Sequence, residues 1–360
     1  MKEKRTIILT GAVIGILAVA LVFFGNPKNM GICVACFLRD IAGGLGLHKA
    51  AAVQYLRPEI IGIILGSFGM ALFGREFKAK GGSATVIRFV IGVFIAIGAL
   101  MFLGCPLRMI LRLAGGDLNA LFGLAGFTVG ILIGVFFLNK GFSLKRNKTL
   151  PQVAGYSIPA VFAVLLALLL LAPSFIYFSQ KGPGSMHAAI WISLGAGLIV
   201  GALGQRSRMC MAGGIRDLVL FKDAHLISGF VAILVFALAG NLLMDSFKLG
   251  FVDQPIAHMD GLWNFLGMVL VGWGAILLGG CPFRQLVLAG EGNLDSFATI
   301  LGIICGGALA HTINLASSVK GPTPNGKIAV LVGLAVVLLI SYFMREKSGN
   351  IKMKEGVKIG

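Results

Sequence analysis

Ten apolar runs divide this chain, near residues 7–24, 51–73, 86–103, 118–138, 156–178, 188–205, 224–245, 262–279, 296–316 and 327–343. A helix needs about 17–25 apolar residues to cross the hydrocarbon core of a bilayer, and each run fits that length. Where water is absent the backbone must satisfy its own hydrogen bonds, so helices are the expected spanning element. Hydrophobic residues make up 57% of the chain and charged residues 12%, and mean hydropathy is +0.94. That balance excludes a soluble globule. Glycine supplies 52 of 360 residues, about twice its usual share of roughly 7%. Such density suits helices that pack closely and break in mid-membrane. The first run follows Lys2, Lys4 and Arg5 as a signal peptide would. It is long for one, and no small-x-small cleavage site follows, so it is read as a span.

A net charge of +17 could point to nucleic acid, but the basic residues sit in short loops and tails between apolar runs. With the N-terminus inside, segments 1–6, 74–85, 139–155 and 344–360 are cytoplasmic. They carry Lys2, Lys4, Arg5, Arg75, Lys78, Lys80, Lys140, Lys145, Arg146, Lys148, Arg345, Lys347, Lys352, Lys354 and Lys358. The outward loops 179–187, 246–261 and 317–326 carry only Lys181, Lys248 and Lys320. This bias predicts both termini inside and an even number of spans.

Two cysteine motifs each occur twice. Cys33-Val34-Ala35-Cys36-Phe37-Leu38-Arg39-Asp40 is answered by Cys210-Met211-Ala212-Gly213-Gly214-Ile215-Arg216-Asp217, an offset of 177 residues. Gly104-Cys105-Pro106-Leu107-Arg108 is answered by Gly280-Cys281-Pro282-Phe283-Arg284, an offset of 176. Two unrelated matches one residue apart in offset mark an internal duplication. Span 1 then corresponds to span 6, and an odd shift reverses direction, so the two copies are expected to be inverted. Cys33 and Cys105 would enter from the outer side, Cys210 and Cys281 from the inner side. Inverted repeats with broken helices near the midplane point to a transporter or channel.

Each motif lies between spans, in a segment too short for a domain and too apolar for an ordinary loop. Irregular backbone at that depth is tolerated only where it is buried in protein or lines a cavity. Proline favours the first helical position, so Pro106 and Pro282 are expected to start half-helices with Cys105 and Cys281 as caps. A helix N-terminus attracts anions. Arg108 and Arg284, in that same first turn, call for an anion or an acidic partner. The pairs Arg39-Asp40 and Arg216-Asp217 fit either turn support or substrate contact, since intramembrane charges are paired or functional. Four cysteines in register within polar turns argue against simple space filling.

Cys36 forms a C-x-x-C with Cys33, but its counterpart in the second copy is Gly213. The duplication therefore marks Cys33, and a redox pair or half a metal site is the lesser reading. Cys305 is read as packing, and His311 with Asn314 as a helix–helix hydrogen bond. His48, His187, His225 and His258 fall at loops or span ends without a pattern. There is no P-loop, no H-E-x-x-H helix, no G-x-S-x-G elbow and no arginine ladder, so ATP hydrolysis, zinc or serine hydrolysis and voltage sensing are not indicated.

At these duplicated turns the chain resembles the YeeE/YedE family of sulfur-compound transport proteins, and more narrowly the YedE-related branch associated with selenium metabolism. The run from Gly31 to Asp40 is the closest likeness, and the resemblance extends over roughly residues 7–316. It implies an hourglass-shaped inverted-repeat fold whose thiols pass a small sulfur anion, thiosulfate in the characterised branch, across a thin waist. That role falls on Cys33, Cys105, Cys210 and Cys281. The resemblance also implies a cytosolic sulfur carrier of the TusA type as a partner.

The expected architecture is an all-α membrane protein with about ten spans and re-entrant half-helices. Its parts are a first repeat (1–150), a linker span (151–187), a second repeat (188–316), and a final span with a basic tail (317–360). The expected function is plasma-membrane transport of a small sulfur or selenium anion, without cofactor, metal, catalysis or nucleic acid. The rivals are a membrane thiol enzyme that reduces or traps its substrate at Cys33 and Cys36, and a non-transporting scaffold for a cytosolic carrier.

Overall fold

A computed structural model describes residues 2–346. Lys347, Lys352, Lys354 and Lys358, counted above as inner charges, lie outside the described residues. Fourteen helices are present among them: α1 (Lys2–Phe23), α2 (Val34–Gly44), α3 (Pro58–Phe73), α4 (Thr85–Phe102), α5 (Pro106–Ala114), α6 (Asn119–Asn139), α7 (Gln152–Leu171), α8 (Ile190–Ser207), α9 (Met211–Phe221), α10 (His225–Leu243), α11 (Gly261–Leu277), α12 (Pro282–Gly290), α13 (Leu294–Thr312) and α14 (Pro324–Phe343). The protein is a multi-pass, all-α membrane protein. Eight segments are long and apolar enough to cross a membrane, with α4 counted together with α5 and α11 together with α12.

Two of the ten expected spans fall outside that set. The run at 51–73 yields only the 16 residues of α3, because proline at 58 forces Arg57 into an extended conformation and delays the helix. The run at 188–205 becomes α8, whose last turn is Gln205-Arg206-Ser207. The four short helices α2, α5, α9 and α12 occupy the segments that carry the cysteine motifs.

Helix contacts follow the duplication. α3 on α8 is answered by α10 on α1, and α6 on α11 by α13 on α4. The short helices obey the same exchange: α2 on α13 matches α9 on α6, and α5 on α10 matches α12 on α3. The pairs interlock one copy with the other, and close approach is set by small residues. A methyl group on Gly66 would run into the carbonyl of Leu198, and one on Gly201 into the carbonyl of Ile63.

α4 and α11 lie antiparallel. Near the start of α4, Arg88 donates to Leu278 O at the end of α11 (3.3 Å). Near the end of α4, Met101 O accepts from His258 Nε2, just ahead of α11 (2.7 Å). The two Gly-Cys-Pro turns therefore sit at opposite ends of this pair.

Connecting segments gather by end as well. Segments 74–85 and 139–155 are joined by a two-residue antiparallel ladder, β1 (Lys80–Gly81) with β2 (Lys148–Thr149), and Glu346 N bonds Gly141 O (2.9 Å). At the end of α4, Ser317 N bonds Leu100 O (3.2 Å), on the side that holds His258. Single cysteines introduced at Lys148 and Lys181 are expected to react with an impermeant maleimide from opposite faces of the membrane. Labelling from one face would sink the two-sided grouping of loops. Gly66→Val is expected to cost about 1–3 kcal/mol through overpacking against α8, read as a lower thermal unfolding midpoint in detergent.

Candidate functional site

Four cysteines cap the four short helices. Cys33 precedes α2 and Cys105 precedes α5; Cys210 precedes α9 and Cys281 precedes α12. Pro106 and Pro282 occupy the first turn of α5 and α12. Their missing N–H groups cost nothing there, since first-turn donors have no partner within a helix.

The caps meet in two pairs. Cys33 Sγ and Cys105 Sγ are 3.9 Å apart, and both thiols are buried. Cys210 and Cys281 also interact side chain to side chain, and Cys210 Sγ accepts from Gly213 N at 3.3 Å, closing the first turn of α9. Cys36 interacts with Cys33 and lies 3.8 Å from Arg108 Nη1. Cys305 lies within α13 and caps no helix.

The two halves use their matched arginines differently. Arg108 is fully buried. It donates to Asn29 O (3.1 Å), to Ile256 O (3.2 Å) and to Leu103 O. Among the described residues no carboxylate lies within ion-pair distance of it. Arg284 instead pairs with Glu291 (3.1 Å), and the bracing of its own turn passes to Gln285. Gln285 Nε2 donates to Leu278 O and Gly280 O, both at 3.2 Å. The turns share a left-handed residue two places before the cysteine, Leu103 (φ 60°) and Gly279 (φ 77°).

Arg39 and Asp40 form part of a buried cluster. Arg39 Nη2 lies 2.6 Å from Asp40 Oδ1, and Arg57 Nε lies 2.7 Å from Asp40 Oδ2. Arg57 also donates to Met186 O and Pro183 O and stacks on Phe37, 4.4 Å from its centroid. Asp40 thus ties α2 to the start of α3 and to the segment before α8. Arg216 and Asp217 pair at 2.8 Å but are part exposed, at 35% and 18%. His48, which had no pattern in the sequence, donates to Arg39 O (3.2 Å) and faces His311 with ring centroids 4.9 Å apart.

Open space lies beside the second pair. A cavity of about 160 Å³ is lined by Cys210, Gly280 and the side chains of Arg208, Arg216 and Arg284. It shares Arg208 and Leu226 with a polar vestibule of about 970 Å³ that also holds Glu76, Asp217, Asp223 and His225. Three guanidinium groups, a thiol and two helix N-termini thus face one space, a combination whose charge and donors are complementary to a small anion. Sequence reasoning missed Arg208, Arg57, Glu76, Glu291 and the buried pair Arg112–Asp117 (2.6 Å). Acidic residues number only 14, so each in an apolar stretch could have been taken as a pairing signal.

Asp40→Asn removes the charge that two buried arginines share, and is expected to cost about 3–5 kcal/mol. Asp217→Asn, at a part-exposed pair, should cost about 1 kcal/mol or less. Denaturant or thermal unfolding of the two variants side by side checks the ranking.

Residues 206–346 match the family described as sulphur transport. A thiosulfate transporter TsuA of Spirochaeta thermophila is 31% identical over 103 residues, covering 29% of this chain and 31% of the relative. A thiosulfate transporter TsuA of Escherichia coli is 27% identical over 116 residues, 32% of each chain. The matches thus span about a third of the length of each curated relative. The stretch that is similar to the sulphur transport family, residues 206–346, carries the second pair of cysteine turns and the arginine-lined cavity.

Proposed function

We propose that this protein moves a small, soft sulfur anion of the thiosulfate type, or its selenium analogue, across the plasma membrane. The observation that carries the reading is the cavity at Cys210, where three arginines line a space of about 160 Å³ beside a polar vestibule. At about 30 Å³ per water, that is room for a small oxyanion but not for a peptide or nucleotide. The arginines and the N-termini of α9 and α12 compensate the charge of an anion leaving water. Cys210 and Cys281 receive it, and Cys33 and Cys105 form the matching step in the first half. Thiols are weak donors, so they hold the anion without trapping it, as conduction requires.

The antiparallel α4–α11 pair and the exchanged helix contacts support an inverted repeat with one thiol pair reached from each side. In this reading both termini are cytoplasmic and the vestibule faces the cytosol, where a carrier of the TusA type could collect the anion. Cys33, Cys105, Cys210, Cys281, Arg216 and Arg284 are the pathway residues. Arg39, Asp40 and Arg108 serve as turn support, because their hydrogen-bonding groups are committed to protein partners. One observation favours the rival thiol chemistry: Cys36 lies beside both Cys33 and Arg108.

Uptake of labelled thiosulfate, selenite and sulfite by cells expressing the chain separates the readings. Cys33→Ser and Cys210→Ser are each expected to reduce thiosulfate uptake at least tenfold with the protein still in the membrane. Loss in Cys36→Ser with Cys210→Ser fully active would replace transport by a redox role for Cys33 and Cys36.

A further inference from the structure

Each arginine of the Cys210 cavity already faces a carboxylate. Arg208 lies 3.9 Å from Glu76, Arg216 is 2.8 Å from Asp217, and Arg284 is 3.1 Å from Glu291. The pairs differ in strength. Arg208 is 71% exposed and Glu76 38%, so solvent screens that pair, whereas Arg284 and Glu291 are 13% and 21% exposed. Glu291 is also fixed from behind, because its carbonyl accepts from Lys78 N at 3.1 Å.

The duplication shows that this pair is private to the second half. At the offset of 176 residues, Glu291 corresponds to Gly115 and Gln285 to Met109. The first half has no acid two turns beyond its arginine, and Arg108 is spent on turn carbonyls. The second half gives the carbonyls to Gln285 and leaves Arg284 at the cavity with a carboxylate beside it.

We propose that Glu291 is an internal competitor for Arg284, occupying the guanidinium between passages and displacing the bound anion on release. The inference rests on the transport reading and names the residue that sets how weakly the cavity holds its substrate. Binding exchanges one Arg284 partner for another, so the cavity never holds an unpaired buried cation. Affinity is thereby capped, which favours throughput over retention.

The exchange carries a sign with pH. Burial raises the Glu291 carboxyl above its usual range, with Glu76 adding to the rise and Arg284 and Arg208 opposing it. As pH falls through that raised value Glu291 takes up a proton and lets go of Arg284, so the anion binds more tightly in mild acid.

The test uses the purified full-length protein in detergent, with thiosulfate as the probe and sulfate as the comparison anion, titrated calorimetrically from neutral to mildly acidic pH. Glu291→Gln is expected to bind thiosulfate about three- to tenfold more tightly at neutral pH, and to lose the acid-side gain of the parent. A second measurement is independent of anion binding: modification of Arg284 by a guanidinium-reactive dicarbonyl, read by mass spectrometry, should speed up in Glu291→Gln. An unchanged Kd and pH profile, or unchanged Arg284 reactivity, overturns the competitor. If the parent binds neither anion while Arg284 reactivity does rise, the transport reading fails and takes the release role with it.

Discussion

Stopping a helix inside an apolar medium leaves its last carbonyls without partners, and much of this structure can be read as the answer to that problem. At the end of α4 every one of them is accounted for. Ala99 O accepts from Gly104 N, Leu100 O from Ser317 N, and Met101 O from His258 Nε2. Phe102 O accepts from Arg112 and Leu103 O from Arg108. The donors come from the turn itself, from α5 and from two distant segments, so the broken helix end draws the chain together around Cys105. A helix that ran on would need none of them, and would leave no capped turn for an anion to approach.

Charge burial follows the same logic. Asp40 lies between Arg39 and Arg57, and Arg112 pairs with Asp117 while stacking 4.1 Å from the Phe102 centroid. These ions are costly in a low dielectric and persist only because each is paired and hydrogen-bonded. They hold the charges of the first half within its buried interior. Glu59 adds a further tie, accepting from Asn26 (2.8 Å) and Ser193 (3.0 Å) and so joining α3 to α8 and the end of α1.

The second half is looser where the first is sealed. Arg216–Asp217 is part exposed, Arg208 reaches the vestibule, and the cavity opens at Cys210. One duplicated sequence thus gives one thiol pair packed against an arginine bound to turn carbonyls and another beside arginines that line open space. That asymmetry fits a pathway that is open to one side at a time.

Spacing alone revealed the duplication, the four capping cysteines and the helical, membrane-bound class, because apolar run length and motif offset are properties of the chain itself. Run length misjudged α3, where Arg57 before Pro58 shortened the helix, and α8, where Gln205 and Arg206 made the last turn polar. The Arg-Asp motifs were legible as pairs, since adjacent residues need no fold to meet. Which arginine braces a turn and which faces a cavity was settled only by tertiary structure. Arg108 and Arg284 sit in matching motifs, and their fates diverge through Gln285, Glu291, Asn29 and Ile256, which reach them by folding. Long-range partners such as Arg57 for Asp40 or Glu76 for Arg208 leave no periodic trace, because a buried charge is answered by whatever the packing of other helices brings within reach.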